Sequence, residues 1–231
     1  MIAFLTESAY FGLFLTMGMF WFARAVNKKA GREVLNPLLF ASVSILVLLL
    51  SLAIPYEAYY KGAQHIDMLL TPATICLAIP LYRQYTLLKE NFGAVLAGCT
   101  AGVIAHMIAC AILLVAFRMD GAAFATILPK SITTAIGKSL SAELGGYPAI
   151  TMATIMLTGQ FGAVASPALL KIFGVKHPLA QGLAIGTASH AAGTSRAVEL
   201  GDVQGAASSL AIVVTGLLTV IAAPLMMMLV K

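Results

Sequence analysis

Charge is what this sequence has least of. Only 10% of its 231 residues are Asp, Glu, Lys or Arg, against roughly 25% in soluble domains. With 60% hydrophobic residues and a mean hydropathy of +0.95, the chain cannot cover a water-soluble globule with polar surface. Cysteine is scarce as well. Cys76, Cys99 and Cys110 all sit in apolar runs without C-x-x-C spacing, so neither a disulfide framework nor a zinc site is indicated. The nine prolines are too few and too aperiodic for collagen. No Walker A, G-x-S-x-G or H-E-x-x-H pattern occurs, and no His/Cys/carboxylate set has catalytic or metal-ligand spacing. The expectation is a protein that is not an enzyme and needs no metal or cofactor. Lys/Arg runs interleaved with aromatics are also missing, so the net charge of +5 does not point to nucleic acid. It reads instead as basic loops retained on the cytoplasmic side of a membrane. Glu7 stands where a secretory leader would carry basic residues, and a removed signal peptide is not expected.

Long apolar runs are what the sequence does contain, and they predict an all-α integral membrane protein. Spans are expected over 4–23, 36–56, 92–117, 147–170, 179–198 and 206–230. A basic loop with Arg24, Lys28, Lys29 and Arg32 follows the first, and a polar loop with Glu57, Lys61, His65 and Asp67 follows the second. The third stretch, 68–82, is short for a straight crossing and is broken by Pro72 and Pro80. The stretch 121–146 is too polar for a lipid-facing span and reads as a re-entrant or interfacial helix packed inside protein.

Order along the chain suggests an internal repeat. Leu69–Gln84, broken by prolines, weakly resembles Ala184–Glu199. Each follows an apolar span opening on Asn36-Pro37 or Tyr147-Pro148, and each precedes one further span. The whole chain then reads as one membrane domain, with repeat 1 over about 1–117, the re-entrant segment over 121–146 and repeat 2 over 147–231. If 121–146 does not cross, the basic loops give seven crossings with the N-terminus outside, and the two broken helices run antiparallel, as in inverted-repeat transporters. If it crosses, there are eight and the repeats are parallel. The inverted arrangement is the reading adopted.

Breaks in mid-membrane helices expose backbone N–H groups and persist only against protein, water or ligand. Positive half-helix N-termini favour an anion there. Thr71, Pro72, Thr74 and Pro80 mark the first break, and Thr187, Ser189, Gly193, Thr194 and Ser195 the second. The alternative is a set of kinks that merely help helices pack. An ionisable side chain is expensive in a bilayer; His190 therefore binds substrate, couples a proton, or is a satisfied core residue. Arg196 can grip a carboxylate bidentately, or snorkel, or pair with Glu199. Lys130, among Ser131, Thr133 and Thr134, suits a small organic anion, or faces water from an interfacial helix. His106, alone in the 92–117 span, reads as a packing residue.

Four stretches also resemble a known family. Asn36-Pro37-Leu38-Leu39, Leu128-Pro129-Lys130-Ser131-Ile132-Thr133-Thr134, Gly146-Tyr147-Pro148-Ala149-Ile150 and, above all, Gly186-Thr187-Ala188-Ser189-His190-Ala191-Ala192-Gly193-Thr194-Ser195-Arg196-Ala197 are similar to the LrgB/CidB family. The likeness covers nearly the whole chain, and extends to the C-terminal half of the plastid glycolate/glycerate translocator. It implies a multi-pass protein of the bacterial inner (plasma) membrane and a small LrgA/CidA-type membrane partner; the outer spans, especially the first, second and sixth, are expected to form a scaffold or homodimer face. Two functions are implied: antiholin-like control of murein hydrolase activity and autolysis, and transport of pyruvate, lactate, glycolate or glycerate. It carries site roles onto Lys130, Ser131, Thr133, Thr134, Thr187, Ser189, His190, Thr194 and Arg196. Paired broken helices with polar residues favour a carrier working by an elevator-like alternating access.

Overall fold

The computed structural model describes residues 8–30, 37–69, 72, 75, 82 and 85–230. Thr71, Thr74 and Pro80 of the first expected break lie outside the described residues, and Pro72 is exposed. Every regular element among the described residues is helical, and these residues fall into two compact units, 1–74 and 75–231. The boundary lies inside the stretch expected to hold that first break.

In the first unit, α1 (Phe11–Ala30), α2 (Pro37–Ser51) and α3 (Tyr56–Asp67) pack together. α3 occupies the segment expected to be a polar loop. Pro55 presets its entry with φ −60°, and Glu57 in the first turn suits the positive end of the helix dipole. Gly12 and Gly62 let α1 and α3 touch backbone to backbone: a Cβ on Gly12 would fall on the Tyr59 carbonyl, and one on Gly62 would lie 2.6 Å from the Gly12 nitrogen. The Thr16 hydroxyl donates to the Gly12 carbonyl and meets the Tyr59 hydroxyl, both at 2.7 Å. Ile45, Leu49 and Ile54 close the apolar centre with Phe11, Leu15 and Met19.

The second unit starts with the short α4 (Tyr85–Glu90) and the charge-free α5 (Phe92–Phe117), which ends on Arg118 in the left-handed conformation. Next come α6 (Gly121–Ile127), capped by the Asp120 carboxylate accepting from the Ala123 N–H at 2.7 Å, and α7 (Thr134–Glu143). The segment expected to be one re-entrant or interfacial helix is therefore a hairpin of two short helices around a non-helical turn, 128–133. Leu128 keeps helical backbone with φ −54° and ψ −42°, and the ladder stops after it because Pro129 offers no N–H to continue it. α8 (Pro148–Ile172), α9 (Pro178–Leu200) and α10 (Asp202–Met227) complete the unit, with a 3₁₀ turn at Met228–Val230. Proline at the first position starts α8 and α9. Gly201, with φ 154°, lets α9 turn back on α10.

Among the described residues, α5, α8 and α10 with its 3₁₀ extension are long and apolar enough to cross a bilayer. Their lipid-type surface is evident on α5, where Ile104, Ile108 and Ile112 are exposed at intervals of four. Buried positions hold many hydroxyls instead: Thr126, Ser141, Thr151, Ser189, Ser208, Thr215 and Thr219. Lipid is as apolar as leucine, so burial of leucine does not drive helices together in a membrane. Close packing and interhelical hydrogen bonds do.

The hairpin is fixed in this way. Its apolar residues Phe124, Leu128, Ile132 and Leu140 pack on Val103, Met107 and Cys110 of α5 and Ala223 of α10. Its base is tied to α8 by a hydroxyl knot. The Thr151 hydroxyl lies 2.9 Å from the Thr126 carbonyl and 2.6 Å from the Ser141 hydroxyl, and the Tyr147 N–H donates to Thr126 Oγ1 at 2.8 Å.

Candidate functional site

Two departures from helical geometry lie in the second unit, and both fall in the motifs singled out by the sequence. The first is the hairpin turn. Lys130 is half-buried there, between buried Pro129 and buried Ser131. Thr133 is the N-cap of α7, yet its side chain makes no cap bond; Oγ1 is buried with no hydrogen-bond partner. An orphaned buried hydroxyl costs roughly 1–3 kcal/mol unless something occupies it. Thr134 begins α7 and is half-buried.

The second departure is inside α9. His190 has φ 42° and ψ −137°, a conformation that side chains rarely adopt, while the helix resumes on either side. The break was expected around Gly193 and occurs three residues earlier. Gly193 instead provides room, since a Cβ there would lie 2.5 Å from that of Ser189. The break is held from three sides. His190 Nε2 donates to the Ile155 carbonyl of α8 at 3.0 Å, which requires the hydrogen on that nitrogen. The Thr194 hydroxyl donates to the His190 carbonyl at 2.9 Å and receives from Ser208 of α10 at 2.7 Å. Gly159 and Gly162 of α8 leave space for the His190 ring and the Ser189 side chain.

Turn and break adjoin the same two helices. On α8, Ile155 takes His190 on its carbonyl while its side chain lies against Gly137 of α7. On α5, Gly102 receives the Thr187 side chain, and the Thr187 hydroxyl contacts Cys99 Sγ at 3.7 Å and Thr215 Oγ1 of α10 at 3.4 Å. One turn further along α5, His106 Nε2 is 2.8 Å from the Leu128 carbonyl and Nδ1 is 3.4 Å from Ser131 Oγ. The hairpin that carries Lys130, Ser131 and Thr133 and the α9 segment that carries Thr187, Ser189, His190 and Thr194 thus pack on the same two helices, α5 and α8.

Arg196 stands apart from this group. It is partly exposed, six residues past the break, and its guanidinium pairs with the Glu199 carboxylate. Ser195 is exposed and bonds the Ala192 carbonyl at 2.7 Å. His106, an ionisable side chain in an otherwise apolar span that reads from the sequence as a packing residue, is bonded to the hairpin through both ring nitrogens. Gln160 Oε1 and Thr219 Oγ1 are likewise buried without partners, and their isolation in sequence gave no signal.

A bundle that faces lipid with isoleucine and keeps hydroxyls, imidazoles and a lysine inside defines a multi-pass helical membrane protein. Residues 16–229 match the LrgB-like family, and the chain belongs to it. It is 34% identical to the holin-like protein CidB of Staphylococcus aureus over 217 residues, 94% of this chain and 95% of that protein. It is 35% identical to the antiholin-like protein LrgB of Bacillus cereus over 223 residues, 96% and 97% of the two chains. These relatives bear holin-like and antiholin-like names, not enzyme names. No solved structure matches the chain.

Proposed function

We propose that this protein is a carrier of small monocarboxylates such as pyruvate, lactate, glycolate or glycerate, working by alternating access in the bacterial plasma membrane. One observation carries the reading: a half-buried lysine in a non-helical turn, three residues from a buried hydroxyl with no partner, inside an apolar bundle. A cation and free donors in low dielectric favour a small anion. Lys130 supplies the charge. Ser131, Thr133 and Thr134 supply donors on the hairpin side and Ser189 on the side of the break, while Thr187 and Thr194, whose hydroxyls are already bonded, line the place from α9. His190 holds the break open and lines the anion's place. Arg196 gives charge complementarity when the α9 segment moves.

In this reading the hairpin is re-entrant, the chain crosses seven times, and an inverted repeat pairs α9 with the stretch 69–84. The helices around the hairpin and break move elevator-like against a scaffold that dimerises.

The names of the relatives favour a second reading, an antiholin-like regulator of murein hydrolases acting with an LrgA/CidA-type partner. A lesion-forming protein has no need for a lysine and unpaired hydroxyl in its interior, and an autolysis phenotype can follow from altered carboxylate flux. Proteoliposomes containing the purified chain decide the matter, using labelled pyruvate and glycolate with and without an inward proton gradient. Saturable uptake, lost in Arg196→Ala while the protein stays in the membrane, is expected. Release of trapped dye without uptake would establish the holin-like reading. Uptake only after co-reconstitution with an LrgA-type protein would make the chain one subunit of the carrier.

A further inference from the structure

We infer that His106 is the proton site of the carrier, taking up one proton together with each carboxylate bound beside Lys130; this rests on the carrier reading above. The Leu128 carbonyl lies just past the end of α6, where the Ile132 N–H turns to Pro129 at 3.3 Å. His106 of α5 serves that carbonyl through Nε2 at 2.8 Å. A carbonyl only accepts, so Nε2 carries the hydrogen and the neutral ring presents an acceptor at Nδ1. Ser131 Oγ stands 3.4 Å from Nδ1 and donates to it. The residue after Lys130 is therefore held by an imidazole in one tautomer, with its hydroxyl hydrogen turned away from any ligand.

A proton arriving at Nδ1 reverses that bond. The ring now donates, Ser131 must accept, and the serine hydrogen is released toward an incoming carboxylate. The same proton places a second positive charge next to Lys130, in a bundle where two unneutralised cations repel strongly. An anion between them removes the repulsion, so proton and carboxylate favour each other's binding and the pair crosses with no net charge. The other groups around the ring fit this role. Cys110, one turn along α5, lies 3.7 Å from Nε2. α9 and α10 bring hydroxyls, Thr187 and Thr215, to the adjoining turn of α5, while His190 is turned onto α8. Arg196, Glu199 and Asp202 lie at partly or fully exposed positions around the α9–α10 connection. Lys130 is thus the charge that the imidazolium meets.

The test is pyruvate binding to the purified protein in nanodiscs between pH 5 and pH 8, followed by ligand-dependent melting, with accumulation in proteoliposomes alongside. Wild type should bind more weakly as pH rises, by up to about tenfold per pH unit, the limit for one linked proton. His106→Gln keeps a donor for Leu128 and an acceptor for Ser131 but cannot titrate. It should bind weakly at every pH and lose accumulation driven by a pH gradient, at an unchanged melting temperature without ligand. Ser131→Ala should keep the pH dependence and move its midpoint to lower pH, because the charge-assisted bond to the imidazolium is the stronger of the two bonds lost. A purely structural histidine would not shift that midpoint. A pH slope in His106→Gln equal to that of wild type overturns the inference and leaves the carrier reading standing. Wild type that neither binds nor takes up pyruvate or glycolate overturns both.

Discussion

α9 and α10 are neighbours in sequence and pack against each other along their length, yet they treat interruption in opposite ways. α10 carries Pro224 in its interior and runs through it, as α8 runs through Pro167. α9 has no proline after its first position and breaks at His190. In a membrane bundle the groups freed by proline are re-satisfied locally, so proline is tolerated. The break in α9 depends on something else, namely the Ile155 carbonyl that takes the imidazole and the glycines of α8 that admit it. A break of this kind belongs to the packing of three helices, and only one of its residues lies at the strained position.

That contrast can be attacked first through the backbone contact between the two helices. A methyl on Gly186 would strike the Ser208 backbone, which cannot move aside, so Gly186→Ala should push α9 from α10 and cost about 3 kcal/mol. Gly216→Ala on α10 meets only the flexible end of Ile136, at 3.3 Å, and should cost under about 1 kcal/mol. Melting in detergent separates the two, and equal losses would show that the Gly186 contact is not what holds the helices together.

Function should separate the lysines of the hairpin next. Lys130→Met should lower carboxylate uptake by roughly 10–100-fold, the worth of a charged hydrogen bond, with little change in melting temperature. Lys138→Met, at the middle of α7, should leave uptake within about twofold, since nothing places it at the turn.

The strained residue offers a reversal of sign. In an ordinary helix glycine is about 1 kcal/mol worse than alanine. At φ 42° glycine is free of strain and alanine is not, so His190→Gly should be more stable than His190→Ala by about 1 kcal/mol or more, although both lose the bond to Ile155. Alanine proving the better residue would mean that α9 is continuous.

The smallest stability effect is expected at the far end of α9. Arg196 and Glu199 pair at partly exposed positions, so breaking the pair by Glu199→Gln should change stability by less than about 1 kcal/mol. Uptake distinguishes the roles of Arg196. It should fail in Arg196→Ala and persist in Glu199→Gln; persistence in both would leave Arg196 with the ion pair alone.

Much of the molecule was legible from residue order. The span 92–117 coincides with α5, and the apolar runs 147–170 and 206–230 match α8 from its N-cap and α10 with its 3₁₀ extension. Charge-free stretches of this length leave the backbone no other way to satisfy itself in lipid than as a helix. The lysine motif and the Gly186–Ala197 block were also visible as places where polar residues interrupt that pattern. Less legible was the segment 57–67, whose charges suggested a loop. Its helix is fixed by the backbone contact of Gly62 with Gly12, which a local reading does not contain.

Sequence by itself determined the class of protein, most of its long helices and one of the two segments at which regular helix gives way, the Gly186–Ala197 block. The class and the long helices are local consequences of hydrophobicity and charge. Tertiary structure alone decided that the break falls on His190, that the hairpin and α9 pack on the same two helices, and that His106 closes on the hairpin from a helix 22 residues away in sequence from the carbonyl it serves. Those facts depend on which carbonyl and which glycine lie opposite a given side chain, and the distance along the chain carries no record of that.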